Sequence, residues 1–322
     1  MNGAKWIFSI IVFVLIALGM LYAQKPVGPD RPVNVPSDYV ITPFGYFHPS
    51  CVREARSGET VLADGRLQFE DGTEETVASY CSFPHYTAKG ELVVEGTKSL
   101  APNEISWSWI EAGQVSGSIP YDGVLATWTV PQTPTTNHGQ TIYLFPGLMH
   151  TTANPELIIQ PVLGWNDGQP AGPWNIASWN CCPSGMVWYS TPLTVTTGDQ
   201  IYGTVLAACG SVTVQACSKW NITTRDVTTQ QSTTLNVVYG SLITFEWAVS
   251  GALEVYSVYE CTDFPPDGST TFSNVALFDN YFRRFTHPGW SPMYWVTKGQ
   301  TDPWCNYSAT TTDTTATLNY QP

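Results

Sequence analysis

From Ile105 onward, apolar and polar positions follow one another in short runs broken by Gly, Pro and Asp. Val124-Leu125-Ala126-Thr127-Trp128-Thr129-Val130 is one such run. Leu193-Thr194-Val195, Thr196-Thr197-Gly198-Asp199 and Gln200-Ile201 form another, with a turn in its middle. A period of two sends successive side chains to opposite faces, which is the mark of a strand with one face in a core. Many such strands in series, separated by turn residues, predict an all-β chain folded as an antiparallel sandwich. No amphipathic helical pattern follows the first two dozen residues. Ser308 to Leu318, where Thr alternates with small residues, reads as a last edge strand or a tail.

Two strands break the pattern in an informative way. Pro155-Glu156-Leu157-Ile158-Ile159-Gln160-Pro161-Val162-Leu163-Gly164-Trp165 reads as a buried strand, aliphatic on both faces, with one amide, Gln160, in its middle. Leu253-Glu254-Val255-Tyr256-Ser257-Val258-Tyr259 holds a lone carboxyl, Glu254, in a similar setting. A buried amide without a partner costs about 1–3 kcal/mol, so Gln160 calls for one, and Glu254 is the candidate. An amide and a carboxyl on neighbouring strands can orient and activate a water molecule. The plain alternatives are an amide that satisfies backbone groups near Pro161 and a carboxyl at a strand rim. Glu156 shares strand parity with Gln160 and reads as the solvated start of that strand.

The first residues change the setting. Lys5 followed by the apolar run Trp6 to Tyr22, with Ala23 at the end, reads as a signal peptide over 1–23, or as an uncleaved membrane anchor. The remainder is then secreted or extracytoplasmic. Gln24 to Pro36 is a Pro-rich linker, Tyr39 to Glu95 a small module with two cysteines, and Lys98 to Asn103 a connector. This divides the chain into 1–23, a module over 24–100 that would serve as a removable propeptide or a permanent accessory, and a sandwich over 101–322. Charged residues make up 12% of the chain and aromatic ones 13%, with a net charge of −13. The acidic balance excludes nucleic acid as a partner, and the low charge density suits an acidic medium. All eight cysteines lie beyond the leader, as expected of disulfides in an exported chain. Cys51 with Cys81 would staple the module, Cys209 with Cys217 would close a hairpin over Gly210 to Ala216, and the adjacent Cys181 and Cys182 would reach Cys261 and Cys305. Neither the cysteines nor His48, His85, His138, His150 and His287 show metal-ligand spacing, so no metal and no cofactor is expected.

Five features occur in an order that resembles the glutamic peptidases, the eqolisin family. They are Ala126-Thr127-Trp128-Thr129-Val130-Pro131, the Gln160 strand, Leu193-Thr194-Val195 with Gly198-Asp199-Gln200-Ile201, Asn221-Ile222-Thr223-Thr224 running to Gln231, and the Glu254 strand followed by Phe264-Pro265. The resemblance spans roughly residues 105–280 and leaves the N-terminal module uncovered. It implies a sandwich of two large antiparallel sheets, of concanavalin A-like or jelly-roll type. It also implies a secreted acid endopeptidase (a hydrolase) that uses a Glu/Gln dyad and an activated water on a polypeptide substrate. Carried onto this sequence, Glu254 would be general base and then general acid, and Gln160 would orient the water and donate to the oxyanion. Trp179, Trp128 and Tyr256 would bind substrate. Glu246, in Thr244-Phe245-Glu246-Trp247, is the rival catalyst, set aside because it faces an expected hairpin turn at Ser250-Gly251. Ser178 stands where the family often has a carboxylate.

Two other classes are compatible with the chain. A non-catalytic carbohydrate-binding or adhesion sandwich would present Trp128, Trp165, Trp174, Trp179 and Trp188 in an exposed row. A glycosidase would need a second carboxyl beside Glu254, from Glu246 or Glu156. No GxSxG elbow, HExxH or phosphate-binding loop is present.

Overall fold

The computed structural model describes residues 31–75, 80–93, 109–150, 157–169, 172–209, 217–294 and 303–321. The leader, most of the linker, the connector, Glu156 and the segment 210–216 lie outside the described residues. Twenty-one strands follow one another, with three short 3-10 turns and no α-helix among the described residues. None of their helices is long and apolar enough to cross a membrane.

The N-terminal module contributes β1 (Val40–Thr42), β2 (Gly45–Phe47), β3 (Val52–Ala55), β4 (Thr60–Val61), β5 (Leu67–Gln68), β6 (His85–Tyr86) and β7 (Leu92–Val93). The larger part begins with β8 (Trp109–Thr129), β9 (Thr141–His150), β10 (Leu157–Trp165), β11 (Trp174–Cys181), β12 (Val187–Ser190), β13 (Leu193–Thr194) and β14 (Gln200–Ala207). It continues with β15 (Cys217–Asp226), β16 (Ser232–Ile243), β17 (Phe245–Tyr256), β18 (Ser269–Asp279), β19 (Ser291–Tyr294), β20 (Ser308–Thr311) and β21 (Ala316–Asn319). The tail-or-strand segment at the C-terminus is thus a hairpin, β20–β21.

The strands form two layers joined by β8. Its first half pairs with β17 and β19, and β17 continues through β9, β10 and β11 to β12. Its second half pairs with β14 and β18, leading to β15 and β16 on one side and β21 on the other. Ile119-Pro120 interrupts the apolar pattern where the strand passes between layers, a place where Pro costs no ladder bond. Between the layers, Pro161 of β10 and Trp128 of β8 both press on Gly203 of β14, whose missing side chain admits them. Trp128 also packs against Phe272, with the two rings tilted by 40°. Ser178 of β11 meets Thr224 of β15 at 3.0 Å.

Three details differ from the sequence reading. The expected Ser250-Gly251 hairpin is instead a bulge inside one continuous strand, β17, because Phe272 packs directly over Gly251 and leaves no room for a chain reversal. The disulfides are Cys51–Cys81, Cys209–Cys217, Cys261–Cys305 and Cys181–Cys182. The adjacent pair therefore bonds within itself, while Cys261 meets Cys305 after the fold brings their segments together. Finally, the module is not set apart. Its β3 runs parallel to β12 at the edge of one layer, and β4 runs parallel to β16 at the edge of the other.

Candidate active site

The face of the β17–β9–β10–β11 layer that points away from the second layer carries the polar groups. Strand register fixes its membership, because cross-strand partners share a face. Glu254 pairs with Tyr143, Tyr143 with Gly164, and Gly164 with Asn175. Gln160, two pleats along β10 from Gly164, lies on the same face and pairs with Trp179. Gln160, Glu254, Tyr143 and Asn175 are all buried, at 0–1% exposure.

Glu254 is held by its neighbours' side chains. The Trp109 indole donates to Oε2 at 2.9 Å, and the Tyr256 hydroxyl donates to Oε1 at 2.6 Å. Trp109 reaches it because β8 pairs with β17 at that point. The amide of Gln160 has no hydrogen-bond partner on either its oxygen or its nitrogen. The Tyr143 hydroxyl is likewise without one. Burial drives the Tyr143 hydroxyl's pKa well above the ordinary range, reinforced by the fields of Asp167, Glu254 and Tyr46.

Gln160 and Glu254 are not bonded to one another. Directly across from Gln160, the β9 register places Gly147, and beyond it the β17 register places Val249. Neither of those positions offers a carboxyl; on the other side the row runs through Trp179 and Tyr189 to Glu54, three strands from Gln160. Glu254 falls in the row of Gly164, about 13 Å along the strand and about 9.5 Å across from Gln160 by ordinary strand spacing. The same apolar strand patterns that suggested a pair left their relative register open, and the register separates them.

The remaining expected residues divide cleanly. Trp179 and Tyr256 are on this face, buried at 1–2% exposure. Trp128 is between the layers, so it fills the core and does not touch this surface. Glu246 accepts from or pairs with His150 at 2.9 Å, on the opposite side of β17 from Trp247 and therefore away from Gln160. Ser178 points inward to Thr224.

Asp167 was not singled out from the sequence, where it looks like a turn residue in Asn166-Asp167-Gly168. Its carboxylate folds back over β10. Asn175 Nδ2 donates to Oδ1 at 2.8 Å, and the Gln169 amide donates to the same oxygen at 3.1 Å. Oδ2 lies 2.4 Å from where a Gly164 Cβ would stand, and Tyr143 Cε1 lies 3.4 Å from that point. Any side chain at 164 would displace the carboxylate. Burial raises the Asp167 pKa to about 6.

The module covers this face. At the tip of the β1–β2 hairpin, Phe44 sits edge-on to Trp179 at 6.3 Å between ring centres. Tyr46 sits edge-on to Tyr256 at 5.6 Å and forms a hydrogen bond with Ser257. The Arg31 guanidinium lies over the Tyr46 ring.

One group among the described residues offers metal-ligand spacing: His138, Glu260 and Asp263, with ligand atoms within 4.8 Å of one another. Asp263 already accepts from Thr136 and from the backbone amides of Tyr259 and Glu260, and it pairs with His138 at 2.8 Å. Its oxygens are committed to holding that turn.

Of three comparisons of the chain with known proteins, one finds likenesses. No protein-family model matches it, and no curated protein matches it. Among solved structures it resembles scytalido-glutamic peptidase bound to a peptide-based transition-state analogue, at 17% identity and TM-score 0.47, over 66% of this chain and 98% of that one. It resembles SCP-B, a member of the eqolisin family in complex with the tripeptide Ala-Ile-His, at 17% identity and TM-score 0.45 over the same shares. It also resembles aspergilloglutamic peptidase from Aspergillus niger, at 18% identity and TM-score 0.33, over 56% of this chain and 98% of that one. These likenesses concern the β framework and leave the N-terminus uncovered.

Proposed function

We propose that this chain is a secreted, acid-acting endopeptidase of the glutamic type, held closed by its own N-terminal module. The observation that supports this most directly is a set of buried polar groups awaiting a partner. The Gln160 amide and the Tyr143 hydroxyl lack hydrogen bonds on the same face as a carboxyl, Glu254, already oriented by Trp109 and Tyr256. Each unmet group costs about 1–3 kcal/mol, a cost that an extended peptide backbone laid on this face would remove.

In this reading Glu254 takes a proton from water as the water oxygen adds to the peptide carbonyl carbon. The indole and hydroxyl fix both carboxylate oxygens, so little reorganisation is needed at that moment. Gln160 donates to and accepts from the substrate chain, two pleats along β10 from the row of the reacting bond. It serves as a binding amide and not as the immediate partner of Glu254. Trp179 and Tyr256, which now receive Phe44 and Tyr46, would receive substrate side chains once the hairpin is displaced.

The exposed tryptophan row of a sugar-binding sandwich has no counterpart: Trp128, Trp165, Trp174, Trp179 and Trp188 are each at most 3% exposed.

The test is digestion of a denatured protein between pH 2 and 7. It uses the full chain, the chain opened by Phe44→Ser with Tyr46→Ser, and the opened chain carrying Glu254→Gln, Gln160→Ala or Glu246→Gln. Acid-peaked cleavage is expected from the opened chain. Glu254→Gln should lower kcat at least ~10³-fold, whereas Gln160→Ala should act mainly through KM. Glu246→Gln should leave cleavage intact. An opened, folded chain that cleaves nothing at any pH would sink the reading and favour a non-catalytic binding role.

A further inference from the structure

We propose that Asp167 is a second catalytic carboxyl of this site, paired with Glu254 across Tyr143, and that it supplies the proton taken by the leaving amine. The inference rests on the peptidase reading above and adds a residue to it.

Geometry carries the argument. The row Glu254–Tyr143–Gly164 runs straight across β17, β9 and β10, and Asp167 fills the space above Gly164. Tyr143 therefore stands between two carboxyls, and its hydroxyl, fully buried, has no partner of its own. The charges of both carboxyls reach it. Gln160, the site's expected second group, lies one stretch of strand away from this row. Asn175 and the Gln169 amide grip one Asp167 oxygen and leave the other above Gly164, which the Tyr143 ring also approaches. Such a clamp holds a carboxyl in position without joining it to a cation. Among the described residues, no Arg or Lys appears in the groups that act on Asp167.

The chemistry balances. Glu254 removes a proton from water as the oxygen bonds to the carbonyl carbon. As the carbon–nitrogen bond breaks, the protonated Asp167 carboxyl delivers its proton to nitrogen, and the amine leaves. Glu254 is then protonated and Asp167 ionised, and proton exchange with solvent restores both. Two carboxyls whose surroundings push them to different protonation states can divide the base and acid roles in this way. Burial, which raises the Asp167 pKa to about 6, keeps it protonated in acid. Among the described residues, the other titratable groups that feel it are Tyr143 and Tyr189, both ionising far above this range; Tyr189 also feels Glu54, and Tyr143 also feels Glu254 and Tyr46.

Two measurements test this on the full chain opened by Phe44→Ser with Tyr46→Ser. In kinetics, Asp167→Asn should lower kcat about 100-fold with KM little changed. It should also abolish the fall in kcat above about pH 6 expected of the parent. Asp167→Glu should recover part of the rate. A kcat within threefold of the parent with the same pH profile would mean that Asp167 only holds the turn. Independently of activity, pairing with Glu254 predicts that the carboxyl carbon resonance of Asp167 titrates at a lower pH in Glu254→Gln than in the parent. An unmoved midpoint would overturn the pairing. A moved midpoint in a chain that cleaves no peptide would instead fault the peptidase reading, and with it the catalytic role of an otherwise real carboxyl pair.

Discussion

Two buried glutamates sit one strand apart and face opposite ways. Glu254 of β17 pairs with Trp109 of β8, and its neighbour Leu253 pairs with Glu111. Both carboxyls are fully buried. Glu111 turns toward β20 and β21, where the backbone amides of Ser308 and Asn319 bind it. Glu254 turns to the outer face, where the side chains of Trp109 and Tyr256 bind it and where a hairpin from the module forms the roof. Burial alone therefore does not mark a catalyst. Glu111 is tied to backbone and joins a terminal hairpin to the core. Glu254 is held by side chains on the face that the module's hairpin covers.

Exchanging the two carboxyls for amides is the sharpest way to test the comparison. In the opened chain Glu254→Gln should remove cleavage, and Glu111→Gln should keep it, as measured by kcat on the same substrate. Equal losses from both would mean that the faces do not differ as described.

The next effect concerns the roof. Phe44→Ser with Tyr46→Ser should raise cleavage at least ~10-fold over the full wild-type chain at the same pH, since an occupied site reduces apparent affinity by the fraction open. A related outcome is loss of mass on acidification by cutting within residues 90–105, the expectation for a removable propeptide. The strand pairing of β3 with β12 and of β4 with β16 supports the other arrangement, in which the module stays and only its hairpin lifts. An acid-activated chain of unchanged mass would fit that arrangement and exclude the propeptide.

A smaller effect separates the glutamates by stability. Burial raises the Glu111 pKa from 4.5 to about 9. The folded form keeps that proton over a range where the unfolded chain loses it, so stability is greatest below about pH 4.5 and falls as pH rises toward 9. Asp122 and Asp167, each raised to about 6, add the same trend over a lower window. His85, lowered by burial to about 4, acts in the other direction below about pH 6.5. The range from pH 7 to 9 thus isolates Glu111. There, Glu111→Gln should raise Tm by roughly 5 °C and flatten its dependence on pH. An unchanged slope would mean that Glu111 is not the protonated group.

The smallest effect is the indole. Trp109→Phe removes one donor from Glu254 while keeping the ring against Phe145. It should cost about 1 kcal/mol of stability and lower kcat roughly tenfold, read by thermal melts and kinetics together.

The pattern along the chain by itself determined the β architecture, the two broken strands and their buried polar residues, since alternation and burial are local consequences of residue type. It also determined two disulfides, Cys51–Cys81 and Cys209–Cys217, whose cysteines lie close in sequence or within one module. Register was beyond it. Whether Gln160 meets Glu254 depends on how β10 slides along β9 and β9 along β17, and a shift of four residues keeps every side chain on its face while changing its neighbour. The same physics hid Asp167, whose turn must fold back over a glycine before its carboxyl becomes part of a site. It hid Trp109, too, which reaches Glu254 from 145 positions away. Tertiary structure alone decided which buried carboxyl faces a core and which faces a roof, because that depends on which side of a shared sheet each layer is laid.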